Sequence, residues 1–164
     1  MNPSVYIALG SNMGDSATIL RRAMDRLLEF SIAPVLKSSL WQTTPVDCPP
    51  GSPPFVNAVA GIIPEPRKTP GSLLEKLLAL EREFGRKPKR VLNEPRRLDL
   101  DLICFGRETS DTETLKLPHP RATQRRFVLQ PLAEIAPALV LPGQRKTVQQ
   151  LLDGLESRER VLRL

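Results

Sequence analysis

The alternation of leucine and aspartate at Leu98-Asp99-Leu100-Asp101-Leu102, directly after Arg96-Arg97, constrains this chain more than any other segment. A period of two marks a β-strand with one buried face, so the leucines face a core while Asp99 and Asp101 share the opposite face. Residues i and i+2 of a strand lie roughly 6.5–7 Å apart, and carboxylates so spaced can reach a pair of cations about 3.5–4 Å apart. The arginines ahead of them suit phosphate oxygens. The same alternation also describes a solvated strand face, and the segment alone leaves both readings open.

Around this strand the chain reads as alternating sheet and helix. Val5, Ile7 and Leu9 alternate with Tyr6 and Ala8 and run into Gly10-Ser11-Asn12-Met13-Gly14-Asp15, a strand followed by a glycine-bearing turn. Asp15 or Ser16 caps a helix whose apolar stripe is Ile19, Ala23 and Leu27 beside Leu20, Met24 and Leu28. Residues 35–43 read as a second strand, 45–54 as a proline-rich loop and 55–63 as a third strand. Thr69-Pro70 opens a second helix with Leu73, Leu74, Leu77, Leu78 and Phe84 as its buried stripe, ended by Gly85. With the strand at 98–105, the order is βαββαβ. That is the ferredoxin-like α+β signature, in which helices pack on one face of an antiparallel sheet. The last third adds a short helix capped by Thr147, other short helical pieces and a further strand pair. Residues 1–164 are expected to form one domain, since a chain of this length buries one core.

Chemistry-bearing residues gather near these strands. Phe55 and Asn57 share one face of the third strand and suit a flat heterocycle, the ring stacking and the carboxamide reading an edge. The same pair also fits ordinary core packing. Arg86, Lys87, Lys89, Arg90, Arg96 and Arg97, broken by Pro88 and Pro95, form a basic extended loop immediately before the two aspartates. Such placement suits phosphoryl transfer, which requires cations around the phosphate oxygens. Glu81 extends the apolar row of the second helix, so it is either buried with a partner or stands at the rim of a site. The one histidine, His119, lies between Pro118 and Pro120 and precedes Arg121, Arg125, Arg126 and Phe127.

Composition narrows the classes. The formal charge of +6 points to an anionic partner: a nucleotide, a nucleic acid or a phosphorylated metabolite. Two cysteines, Cys48 and Cys104, make neither a disulfide framework nor a zinc site, and one histidine is a poor transition-metal ligand set. The short apolar run at 5–9 is neither a signal sequence nor a membrane span, and a cytoplasmic protein is expected. Neither GxxxxGK[ST] nor GxGxxG occurs.

The segments Tyr6-Ile-Ala-Leu-Gly-Ser-Asn12, Phe55-Val-Asn-Ala-Val59, Gly85-Arg86, Pro95-Arg-Arg-Leu-Asp-Leu-Asp-Leu-Ile103, Leu117-Pro-His-Pro-Arg121 and Arg126-Phe-Val-Leu-Gln-Pro-Leu-Ala-Glu-Ile-Ala-Pro137 follow one another in this order. In them the chain resembles the 6-hydroxymethyl-7,8-dihydropterin pyrophosphokinases of folate biosynthesis over nearly its whole length. The resemblance implies transfer of the β,γ-pyrophosphate of ATP to the hydroxymethyl group of the dihydropterin, giving AMP and the pterin diphosphate. It implies two Mg²⁺ ions on Asp99 and Asp101, and a pterin held between Phe55 and Phe127. Asn57 would read the pterin edge, and Thr43, Pro45 and Val46 would form the pocket wall. ATP contacts fall on Glu81, Arg86, Arg96, His119 and Arg125, with Arg86 and Arg96 also catalytic. For Glu81 the match favours the rim of the site. Small-molecule substrates and a monomer are expected, with no nucleic-acid or membrane partner. The chain departs from the usual bacterial pattern at Leu78, Pro88 and Asn93-Glu94, all near the catalytic loop.

Two rivals belong to other classes. An RNA-recognition module shares the topology and the basic surface, but the chain is 4% aromatic and carries no RNP1 octamer. A pterin-binding scaffold without catalysis would not require Asp99, Asp101, Arg96 and His119 together.

Overall fold

The structure is a computed structural model and describes residues 2–43, 51, 53–85 and 97–164. Its strands are β1 (Val5–Ser11), β2 (Leu36–Lys37), β3 (Trp41–Thr43), β4 (Phe55–Ile62), β5 (Asp99–Phe105), β6 (Ser110–Asp111), β7 (Lys116–Leu117) and β8 (Val161–Arg163). The helices are α1 (Ser16–Arg26), α2 (Pro70–Glu83), α3 (Arg126–Ile135) and α4 (Val148–Asp153). The main sheet runs β5-β1-β4-β3-β8, with β2 also on β4, and its pairs are antiparallel. Taking β2 and β3 as one interrupted strand, β1-α1-β2/β3-β4-α2-β5 is the expected βαββαβ unit. The chain has an α+β fold of ferredoxin-like type.

The expected second strand breaks at Ser38 because its side chain enters the ladder. Ser38 Oγ accepts the Val59 N–H at 2.9 Å and donates to the Ser39 carbonyl at 2.8 Å. A hydroxyl thus replaces a backbone acceptor, and the strand restarts at Trp41.

Alternation along the strands divides the core in two. Val5, Ile7 and Leu9 of β1, Ala58, Ala60 and Ile62 of β4, and Leu100 and Leu102 of β5 bury against α1 and α2. Tyr6, Val59, Ile103 and Cys104 bury on the opposite face, against α3 and α4. Both Ile103 and Cys104 reach this second face because the β1–β5 register shifts between Tyr6 and Ile7. In this setting burial pushes the Cys104 thiol up to about 11.

Helix ends follow local chemistry. Asp15 caps α1 by accepting from the Thr18 amide at 3.3 Å and the Thr18 hydroxyl at 2.9 Å. Thr69 and Ser72 form a reciprocal capping box on α2, and Thr147 and Gln150 form one on α4. Gly85 takes φ +90° just past α2, a conformation that a side chain strains.

Two expected core residues lie outside. Leu28 is exposed because α1 tightens into a 3₁₀ turn at Leu27–Phe30, which rotates it off the stripe. Leu78 is exposed as well: Leu73, Leu77, Leu80 and Glu81 form the buried face of α2, and Leu78 falls about 140° round the helix from Leu73.

Candidate active site

The β1 register sets the site. Gly10 pairs with Asp99 of β5 on one side and with Asn57 of β4 on the other, and Asn57 pairs in turn with Trp41 of β3. Directly opposed residues share a face, so Asp99, Gly10, Asn57 and Trp41 form a row across four strands. Asp101, Ala8 and Val59 form the next row. Thr43 and Phe55, paired with each other, extend the same face beyond Asn57. Leu98, Leu100 and Leu102 are buried on the other side, as their alternation requires.

Two of the smallest residues occupy the centre of this face. Gly10 lies between Asp99 and the carboxamide and Ala8 between Asp101 and Val59, so β1 itself puts no more than a methyl group into the interval. A Cβ at Gly10 would sit 3.1 Å from Asn57 Nδ2, which means that the carboxamide lies against the Gly10 backbone. Thr43 Oγ1 donates to Asn57 Oδ1 at 2.7 Å, and both residues are buried. The amide is oriented with its oxygen toward Thr43 and its nitrogen over Gly10.

The aspartate strand is held from the outer edge of the sheet. Glu81 Oε2 accepts the backbone N–H of Leu100, the residue between Asp99 and Asp101, at 2.7 Å. Glu81 is 1% exposed, so it is buried, with the Leu100 amide as a partner. A carboxylate on this amide satisfies a β5 edge donor and fixes the segment carrying both acids.

α3 covers the lower part of the same face with Val128, Leu129 and Leu132, and carries Phe127 at its first turn. Phe127 packs against this core, half-buried, and the Arg125 guanidinium lies 5.4 Å from its ring centroid. The His119 N–H donates to the Ile103 carbonyl at 2.8 Å, which lays this segment beside β5. His119 Nδ1 accepts from the Arg121 amide at 3.2 Å, placing the ring proton of the neutral form on Nε2. Burial, then Arg125 and Arg121, lower the His119 pKa against the opposing pull of Asp99. The imidazole is therefore a neutral donor near pH 7.

The face thus brings together Thr43, Phe55, Asn57, Asp99 and Asp101, and a second group, His119, Arg125 and Phe127, lies where α3 begins. Pro45, Val46, Arg86 and Arg96, with the Pro88 and Asn93-Glu94 departures, lie outside the described residues. Among the described residues, no cluster of three or more His, Cys, Asp and Glu side chains is placed to hold a metal ion. Two carboxylates opposite Gly10 and Ala8 suit Mg²⁺, which keeps waters and takes phosphate oxygens rather than entering an all-protein cage.

In the sequence Gly10 reads as part of a turn, and Glu134 carries no evident role. Gly10 lies within β1 and sits under Asn57. Glu134 Oε1 accepts from the Ser39 amide at 2.9 Å and from Trp41 Nε1 at 3.1 Å, and its Oε2 accepts from Ser39 Oγ at 2.6 Å. One signal was available for it: Glu134 continues the helical row Phe127, Pro131, where an apolar residue is expected.

Comparison with known proteins identifies the family. The family model described as 7,8-dihydro-6-hydroxymethylpterin-pyrophosphokinase (HPPK) matches residues 6–137. A Bacillus subtilis 2-amino-4-hydroxy-6-hydroxymethyldihydropteridine pyrophosphokinase is 43% identical over 136 residues, covering 82% of this chain and 79% of its own. The Pseudomonas aeruginosa protein of the same name is 40% identical over 159 residues, covering 93% and 94% respectively. Among solved structures, the wild-type HPPK-DHPS of Plasmodium falciparum crystallised with pteroate superposes with a TM-score of 0.70 at 13% identity. That likeness covers 91% of this chain and 41% of the longer one, and concerns the fold. Sequence and fold converge, and the chain belongs to the 7,8-dihydro-6-hydroxymethylpterin-pyrophosphokinase family.

Proposed function

We propose that the sheet face described above is the active site of this chain, a 2-amino-4-hydroxy-6-hydroxymethyldihydropteridine pyrophosphokinase of folate biosynthesis with ATP as co-substrate. The observation that supports this reading best is the register through Gly10, which sets Asp99 and Asn57 on either side of a residue with no side chain. Phosphate and pterin thereby have adjoining places on one surface.

In this reading the pterin ring lies between Phe55 and Phe127, and Asn57, oriented by Thr43, hydrogen-bonds its edge. Pro45 and Val46 complete the wall. Asp99 and Asp101 hold two Mg²⁺ ions. Bound there, the metal supplies charge neutralisation on the phosphate oxygens and a more acidic hydroxymethyl group. His119 donates its Nε2–H to a phosphate oxygen, and Arg86, Arg96 and Arg125 neutralise the charge that develops. Glu81 acts beneath the site through the Leu100 amide. The hydroxymethyl oxygen attacks the β-phosphorus, the bond from that phosphorus to the α,β-bridging oxygen breaks, AMP leaves with its electrons, and the hydroxyl proton is released. Orientation of the two substrates supplies much of the acceleration.

Among the described residues no helix is long and apolar enough to cross a membrane. A cytoplasmic monomer acting on small molecules, without nucleic acid, completes the reading. Incubation with ATP, Mg²⁺ and 6-hydroxymethyl-7,8-dihydropterin tests it: AMP and pterin diphosphate are expected, whereas ADP marks a simple kinase and no turnover marks a scaffold.

A further inference from the structure

Glu134 stands near the C-terminal end of α3, seven residues and about 10 Å along the helix from Phe127. Its carboxylate takes three hydrogen bonds from the start of β3: the Ser39 amide, the Ser39 hydroxyl and the Trp41 indole. Arg163 of the neighbouring edge strand β8 approaches the same carboxylate at 3.8 Å. Trp41 is the in-register partner of Asn57, and Thr43 lies two residues further along the same face. One surface carboxylate therefore joins the helix that carries Phe127 to the strand that carries Thr43 and orients Asn57.

We propose that Glu134 is a positioning residue for pterin recognition, holding β3 against α3 so that the Thr43–Asn57 wall and the Phe127 ring keep a fixed separation. The inference rests on the pterin site proposed above. It assigns to Glu134 an effect on one substrate only, because both aspartates lie on β5, three strands away from β3, and do not depend on β3 for their place. Burial raises the pKa of the carboxyl, but the Ser39 and Trp41 hydrogen bonds and Arg163 together bring it below its ordinary value, so at neutral pH the group accepts all three bonds. An amide at this position keeps one acceptor oxygen and loses the other.

The test compares the wild type with Glu134→Ala, Glu134→Gln, Trp41→Phe and Arg163→Gln. KM for pterin, KM for ATP and kcat are measured, with the emission of the free proteins that retain Trp41. Trp41 is the single tryptophan, so emission reports directly on its N–H partner. Glu134→Ala should shift that emission and raise the pterin KM about tenfold, with the ATP KM within about twofold of wild type. Glu134→Gln and Trp41→Phe, which remove fewer bonds, should raise the pterin KM about threefold and serve if the alanine variant fails to fold. Arg163→Gln should change neither constant, since its contact is long. A pterin KM unchanged in Glu134→Ala or Glu134→Gln despite shifted emission overturns the proposal. Equal proportional rises in both KM values, marking general loosening, overturn it too. If the wild type itself has no affinity for pterin, the reading of the site fails first and takes this inference with it.

Discussion

The Thr43 hydroxyl donates to Asn57 Oδ1 at 2.7 Å across the β3–β4 pair, and this bond holds the Asn57 carboxamide with its nitrogen over Gly10. Thr43→Val keeps the shape of the side chain and removes the donor, which leaves the carboxamide free to turn over. Pterin affinity should fall about three- to tenfold, consistent with the loss of one buried hydrogen bond, while ATP affinity holds. Calorimetric titration with each ligand checks this, and Thr43→Ser should restore binding.

Gly10→Ala places a methyl group 3.1 Å from Asn57 Nδ2, closer than an unstrained contact. Some neighbour has to move, and overpacking of this kind costs about 1–3 kcal/mol. Pterin affinity should drop about tenfold or more, with a native far-UV circular dichroism spectrum. Unchanged binding would show that the carboxamide shifts without consequence for recognition.

Glu81→Ala leaves the Leu100 N–H without its acceptor inside a buried site. An orphaned donor costs about 1–3 kcal/mol, so Tm should fall by roughly 3–10 °C, and turnover should fall with it as the Asp99–Asp101 segment loosens. Glu81→Gln retains an acceptor oxygen and should lie between the two. Thermal unfolding of the three proteins, alongside turnover, measures both effects.

Acid should weaken the link between α3 and β3. The Glu134 carboxyl has a folded pKa below its ordinary value of 4.5, so its stabilising contribution is complete above that value and is lost as pH falls through the folded one. Arg163 is the charged group facing it. Urea unfolding of wild type and Glu134→Gln over descending pH should show stabilities that converge below pH 4.5. A constant gap between the two curves would contradict the assignment.

What was legible in the sequence depended on range. α1, α2, α4 and the faces of β4 and β5 follow from periods and caps within a few residues, and Phe55, Asn57, Asp99 and Asp101 lie on the faces that their alternation implies. The break at Ser38 rests on a bond to Val59, twenty-one residues away, and leaves no local mark. Strands of two or three residues, β6, β7 and β8, are too short to show a period. α3 read only as a short helical piece because Pro131 interrupts its pattern. The row Asp99–Gly10–Asn57–Trp41 is a product of register between strands, so no single segment announced that the aspartates and the carboxamide are neighbours. Glu134 stayed hidden for the same reason: its partners, Ser39 and Trp41, are more than ninety residues distant.

The most direct measurement follows ATP, Mg²⁺ and 6-hydroxymethyl-7,8-dihydropterin by phosphorus NMR with wild-type protein and with Asp99→Ala and Asp101→Ala. The account predicts AMP and pterin diphosphate from the wild type, and turnover lower by on the order of 10³ or more in each variant at saturating Mg²⁺. Accumulation of ADP, or near-normal turnover in either aspartate variant, would contradict it.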